Sequence, residues 1–121
     1  MAHALNWFEI PVTNMGRAIK FYSTILGAEL QTMEMPDGQM AFFPSGEGDV
    51  GGALTQGQGS QPSTSGTVVY LNGGEDLSQV LDRVEAAGGK VTLPKTSIGE
   101  FGFMAFFTDT EGNRVGLHSM K

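Results

Sequence analysis

Met104-Ala-Phe-Phe-Thr-Asp-Thr-Glu-Gly-Asn-Arg-Val-Gly116 decides how this chain is read. Sixty-four residues earlier stands Met40-Ala-Phe-Phe-Pro-Ser-Gly-Glu-Gly-Asp-Val-Gly-Gly52, identical at seven of thirteen positions. Each copy is an apolar strand, a tight polar turn and a second strand. An internal repeat fixes architecture before any single element does, and here it makes the chain one module written twice.

The flanks extend the repeat. Residues 5–12 form a first strand, with Phe8, Ile10 and Val12 on one face and Trp7, Glu9 and Pro11 on the other. Thr13 or Asn14 caps a helix that carries Met15, Ala18, Ile19, Tyr22, Ile25 and Leu26 as an apolar stripe and stops at Gly27. Strands follow at 29–33, 39–43 and 50–55, the first two joined by Pro36-Asp37-Gly38. Residues 56–66 hold no apolar side chain and read as a flexible linker. The second half repeats the order: a strand at 67–71, a helix with an Asp76/Gln79 capping box, then strands at 90–93, 103–108 and 114–119. In the second helix Leu77, Val80, Leu81 and Val84 make the buried stripe. The expected fold is α+β: one domain over 1–121, made of two tandem βαβββ modules (about 5–55 and 67–119) that form a paired half-barrel.

Bulk properties narrow the function. Hydrophobic residues are 40% of the chain, charged residues only 17%, and Gly occurs 18 times, which favours sheets, turns and a subunit contact. The net charge of −6 and scattered Lys and Arg give no basic stripe for a nucleic acid. Without Cys there is no disulfide or thiol chemistry, and no apolar run suits a leader or a membrane span, so a cytoplasmic protein is expected. Gly46-Glu-Gly-Asp-Val-Gly51 matches a dinucleotide fingerprint in letters only, because it joins two strands and opens no helix. The Asp109–Asn113 stretch is too short for a calcium loop and reads as a turn. His3 is assigned to a loose terminus.

Three motifs carry a resemblance: Ile10-Pro-Val-Thr-Asn-Met-Gly-Arg-Ala-Ile-Lys-Phe-Tyr22 with Leu26-Gly27, Val84-Glu-Ala-Ala-Gly-Gly89, and Asp109-Thr-Glu-Gly-Asn113. In this order and spacing the chain resembles the vicinal oxygen chelate superfamily of glyoxalase I, extradiol dioxygenases and bleomycin-resistance proteins. The resemblance implies paired βαβββ modules and a homodimer. It also implies, for metal-dependent members, one ligand on the first and one on the last strand of each module. Those positions fall on Trp7, on Gly52, on Val68 or Val69 (depending on where the Gly73-Gly74 insertion sits), and on Gly116. None offers a lone pair suited to a divalent cation. The expectation is therefore no metal and no cofactor.

What remains is a cleft of aromatic walls and empty space. Trp7 is a stacking wall or a core side chain, and Gly52 and Gly116 leave room for a ligand or simply pack strands. Glu9, two residues after Trp7, and His118, two after Gly116, are the candidate acid–base or ligand-contact pair, against the plain alternative of a structural hydrogen bond. Val69 and Phe101 complete the expected ligand contacts, Phe101 on a 94–102 loop that reads as a lid or an ordinary surface loop. Phe42, Phe43, Phe106 and Phe107 divide between cleft and core by alternation. The expected function is a metal-independent binding protein for a small, partly aromatic molecule. The alternative is a lyase or isomerase related to lactoylglutathione lyase, metal-free through Glu9 and His118 or with a metal site not recognised in the sequence.

Overall fold

The computed structural model describes residues 5–57 and 59–121, so His3 lies outside the described residues. The elements run β1 (Trp7–Pro11), α1 (Met15–Leu26), β2 (Gln31–Met35), β3 (Gly38–Phe42), β4 (Gly51–Gly57), β5 (Val69–Asn72), α2 (Ser78–Val84), β6 (Lys90–Ser97), a 3-10 turn (Gly99–Phe101), β7 (Phe103–Thr108) and β8 (Arg114–Ser119). Two four-stranded sheets result, ordered β1-β4-β3-β2 and β5-β8-β7-β6. In each, the first strand of the module pairs parallel to the last, and the other neighbours are antiparallel. This is the α+β, twice-βαβββ architecture expected from the repeat.

Helix α1 begins where its chemistry predicts. Asn14 Oδ1 accepts from the N–H of Arg17 at 3.0 Å, and Gly27, at φ 64°, takes the left-handed conformation that ends the helix. Its buried side is wider than the periodicity suggested. Phe21 is fully buried beside Tyr22, while Ile19 and Leu26 are only half-buried. The reason is that two sheets, not one, press on this helix. The Tyr22 ring lies 5.5 Å from Phe43, which follows β3, and 6.5 Å from Phe107 of β7. The helix-bearing faces of both sheets therefore share one core, and their opposite faces turn outward.

Three local expectations are corrected. Strand β4 runs on to Gly57, and Gln56 Oε1 accepts from the Met15 N–H at 2.7 Å, so Gln56 belongs to the start of α1 and not to a linker. The connection beyond is pinned, since the Ser63 N–H donates to Asn113 Oδ1 at 3.1 Å and the Ser63 carbonyl accepts from Arg114. The capping box on α2 does not form. The N-cap is Leu77, and Asp76 Oδ1 accepts instead from the Ser78 N–H and from Lys95 Nζ, each at 2.9 Å. The Lys95 hydrogen bond, with help from Ser78, holds the Asp76 carboxyl down at about 2. Strand β6 continues through Pro94 to Ser97, because β6 is a sheet edge and Pro94 sits at a register shift, where a missing N–H costs little. The expected 94–102 loop shrinks to the short turn around Gly99–Phe101.

The repeat itself slips by one residue. Phe42 pairs with Ala53, whereas Phe106 pairs with Gly116. The structural counterpart of Gly116 is thus Ala53, and the shared closing glycine of the two sequence copies is out of register. A one-residue slip exchanges the faces of a strand.

The Asp109–Asn113 turn staples the halves. Asp109, Glu111 and Asn113 are all buried. Glu111 Oε1 accepts from the N–H groups of Thr13 (2.9 Å) and Asn14 (2.8 Å), and Oε2 accepts from Arg17 Nε at 2.6 Å. Asp109 Oδ2 accepts from the Tyr22 hydroxyl at 2.7 Å, and burial together with this carboxylate pushes the tyrosine well above its usual range. Burial alone would raise the Glu111 carboxyl. The hydrogen bonds from Arg17, Asn14 and Thr13 outweigh it and hold the group at about 2 against an ordinary 4.5. A carboxyl depressed in the folded state adds stability above its unfolded value and loses it as the pH falls towards the folded one. We expect Glu111→Gln to cost about 2–3 kcal/mol at pH 7, discounted for the half-exposed Arg17, or roughly 10 °C in Tm. In thermal melts the gap between the two proteins should narrow as the pH drops from 4.5 towards 2. A gap independent of pH would show that the carboxylate charge contributes nothing.

Candidate functional site

The outward faces follow from strand alternation. On the first sheet Phe8, Ile10 and Leu54 point to the core, so Trp7, Glu9, Phe42 and Ala53 point away. On the second sheet Leu71, Ala105, Phe107 and Leu117 point to the core, so Tyr70, Asn72, Phe106, Gly116 and His118 point away. The division of the four phenylalanines expected from sequence is the one observed.

Each outward face carries an aromatic pair above a glycine. Trp7 sits 6.0 Å from Phe42 and over Gly51, where an added Cβ would stand 3.2 Å from the indole. Tyr70 sits 5.6 Å from Phe106 and over Gly116, where an added Cβ would meet the phenol ring at 2.6 Å. The missing side chain at Gly116 therefore admits the protein's own Tyr70. Arg114 covers the same Phe106 ring at 4.2 Å. Trp7 is 44% and Tyr70 49% exposed, so these rings cover their sheets without being covered themselves.

The sequence-predicted residues separate into groups. Trp7 and Glu9 lie together, the indole N–H donating to Glu9 Oε2 at 3.2 Å, in a cavity of about 630 Å³ that Val68 and Tyr70 also line. His118 and Phe101 lie together in a second cavity of about 670 Å³, where His118 Nε2 is 2.7 Å from the Phe101 carbonyl oxygen. Glu9 and His118 stand on different sheets, and the chain makes no ion pair or hydrogen bond between them among the described residues. Gly52 faces the core, its missing side chain filled by the Phe8 ring, so it offers no room to a ligand. Val69, the first residue of β5, packs against the core and also lines the Trp7–Glu9 cavity, beside Val68 just before the strand. The placing of Gly52 turns on a one-residue register ambiguity. Tyr70, which lines both cavities, was missed. The alternation that makes Leu71 a core residue would have found it.

The sequence model of the Glyoxalase/Bleomycin resistance protein/Dioxygenase superfamily matches residues 4–117. The chain belongs to this superfamily. Among its relatives, a glyoxylase-type protein of Mycobacterium bovis, CFP32, is 29% identical over 117 residues, 93% of this chain but 44% of that protein. The chain thus spans under half the length of this curated relative. The glyoxalase I of Leishmania major, described as trypanothione-dependent, superposes with a TM-score of 0.73 at 20% identity, covering 98% of this chain and 88% of the other. TnmS3, an antibiotic binding protein from Streptomyces sp. CB03234, superposes with a TM-score of 0.65 at 23% identity, covering 100% and 99%. At these identities the superpositions establish the fold alone.

Superfamily members that use a cation hold it from the first and last strands of each module. With the registers observed, those positions carry Trp7, Ala53, Val68 and Gly116. None is a donor, and among the described residues no three His, Cys, Asp or Glu side chains gather closely enough to hold an ion. Among the described residues these positions do not fit a metal centre.

The two glycines give a direct check on the faces. Gly52→Ala forces a methyl into the buried Phe8 ring and should cost about 1–3 kcal/mol in chemical denaturation. Gly116→Ala meets a half-exposed Tyr70 that can swing outward, so a loss under about 1 kcal/mol is expected. The reverse order would place Gly52, not Gly116, on the open face.

Proposed function

We propose that this protein binds a small, partly aromatic molecule without a metal ion, holding it between the outward face of one module and that of a second copy. The observation that carries the reading is the pair of exposed aromatic clusters, Trp7–Phe42 and Tyr70–Phe106, standing where a cation's donors would otherwise project. Flat rings offered to solvent stack on flat ligands at little entropic cost. Within one chain the two faces meet only along the open cavity lined by Trp7, Glu9, Val68 and Tyr70, so a closed cleft needs a partner. Met33 (50% exposed) and Met35 (40%) extend the first face as adaptable apolar surface, and Phe101 (67%) extends the second. A homodimer that lays one chain's first face against its partner's second face would cover both and enclose two sites. A protein of the same fold, TnmS3, is an antibiotic binding protein.

Two measurements test this. Light scattering at micromolar concentration should give a dimer, and Trp7→Asp should shift it to monomer. Calorimetry with 2-naphthol as the probe should show saturable binding that weakens at least tenfold in Trp7→Ala, while the melting temperature of the unliganded protein moves little. A monomer with no affinity for the probe would sink the reading. Retained affinity in Trp7→Ala would remove the stacking wall from it.

A further inference from the structure

The second outward face holds one imidazole whose hydrogen bonding is already decided. His118 Nε2 lies 2.7 Å from the backbone carbonyl oxygen of Phe101. A carbonyl oxygen only accepts, so Nε2 carries the hydrogen, and the neutral ring keeps a bare lone pair on Nδ1. Among the described residues Nδ1 has no partner, yet no buried side-chain nitrogen or oxygen there is left unpaired. Nδ1 is therefore open to solvent, and His118 lines the cavity of about 670 Å³ with Tyr70, Asn72, Phe101 and Met104.

The neighbour is fixed in the same way. Asn72 pairs with His118 across β5 and β8, so the two side chains share the face. The Asn72 side-chain oxygen accepts from the Gly74 N–H at 2.8 Å. This sets the amide's orientation and leaves its Nδ2 hydrogens for something else. The paired residues thus offer one lone-pair acceptor and one N–H donor on one face, with the Tyr70 ring next along β5 as an apolar wall. With the ring in this neutral tautomer, the arrangement suits a neutral ligand rather than a carboxylate or an ammonium.

We infer that this face recognises an aromatic hydroxyl, whose O–H donates to His118 Nδ1 and whose oxygen accepts from Asn72 Nδ2 while the ring lies along Tyr70. The inference rests on the reading of the outward faces as ligand walls and adds the chemical class they select, phenols over their ethers. His118 has two separable jobs in this account: Nε2 holds the Gly99–Phe101 turn at the cavity mouth, and Nδ1 reads the ligand.

The test compares 2-naphthol with 2-methoxynaphthalene by calorimetry. The ether keeps the ring and loses only the O–H. The wild-type protein should favour the naphthol by tenfold or more, and His118→Phe should bring the ratio close to one. Loosening of the Phe101 turn in that variant would weaken both probes alike and leave the ratio untouched. Equal wild-type affinities, or a ratio that survives His118→Phe, would overturn the inference while the face still binds aromatics. Failure of both probes to bind would overturn the face along with it. Long-range proton–nitrogen NMR on the unaltered protein supplies the check that needs no variant. His118 should show a pyridine-like Nδ1 and a protonated Nε2 at neutral pH, with the Nδ1 resonance moving on addition of 2-naphthol. A ring protonated on Nδ1 would overturn the inference without any ligand.

Discussion

The carboxylate of Glu111 beneath the first turn of α1 is the constraint from which the rest follows. A helix start exposes N–H groups that need acceptors and a partial positive charge that favours an anion. Here the anion comes from the other module, 97 residues on, and brings Arg17 with it. Asp109, two residues before it, takes the Tyr22 hydroxyl in the same stroke. The second module is thereby fixed to the helix of the first, and Tyr22 is set between Phe43 and Phe107. Once both sheets turn their helix-bearing sides to that ring, the other two sides have nowhere to face but outward. The exposure of Trp7 and Tyr70 is thus a consequence of the staple and not a separate design.

The two modules share a plan but not a job. The turn of the second carries three buried polar side chains, each satisfied by a long-range partner. The matching turn of the first, around Gly46, closes only on itself through Asp49 and stays exposed. Nothing from it reaches α2, whose first N–H groups use Ser119 and Asp76 instead. The first turn is one residue longer than the second, which is the slip between Phe42–Ala53 and Phe106–Gly116.

That slip also explains what could and could not be read from sequence. Element type and order were legible because alternation, helical period and the Asn14 and Gly27 caps are local signals. The core partners Phe43 and Phe107 were legible for the same reason. Position on a face was harder, since alternation gives two answers and only register chooses between them. Gly52 fell on the core face because an identical glycine closed both copies one residue out of register. Glu111 read as one letter of a turn, since its partners Thr13, Asn14 and Arg17 are remote in sequence and no local pattern points to them. Asp76 read as a cap because its competitor for the carboxylate, Lys95, lies on another strand.

The faces differ in what they can offer a ligand. On the first, Glu9 is engaged by the Trp7 indole, so its carboxylate serves to orient the ring, and the methionines beside it yield to many shapes. On the second, Asn72 and His118 are each oriented by a backbone group, so their free atoms point in set directions. In the proposed pairing every cleft receives one face of each kind: an adaptable apolar wall that contributes most of the affinity, and a fixed polar wall that decides orientation. A dimer formed the other way, first face on first face, would make one cleft with no reading group and one with two. The staple that turns both faces outward, and the different side chains the two modules place on them, together favour the crossed arrangement.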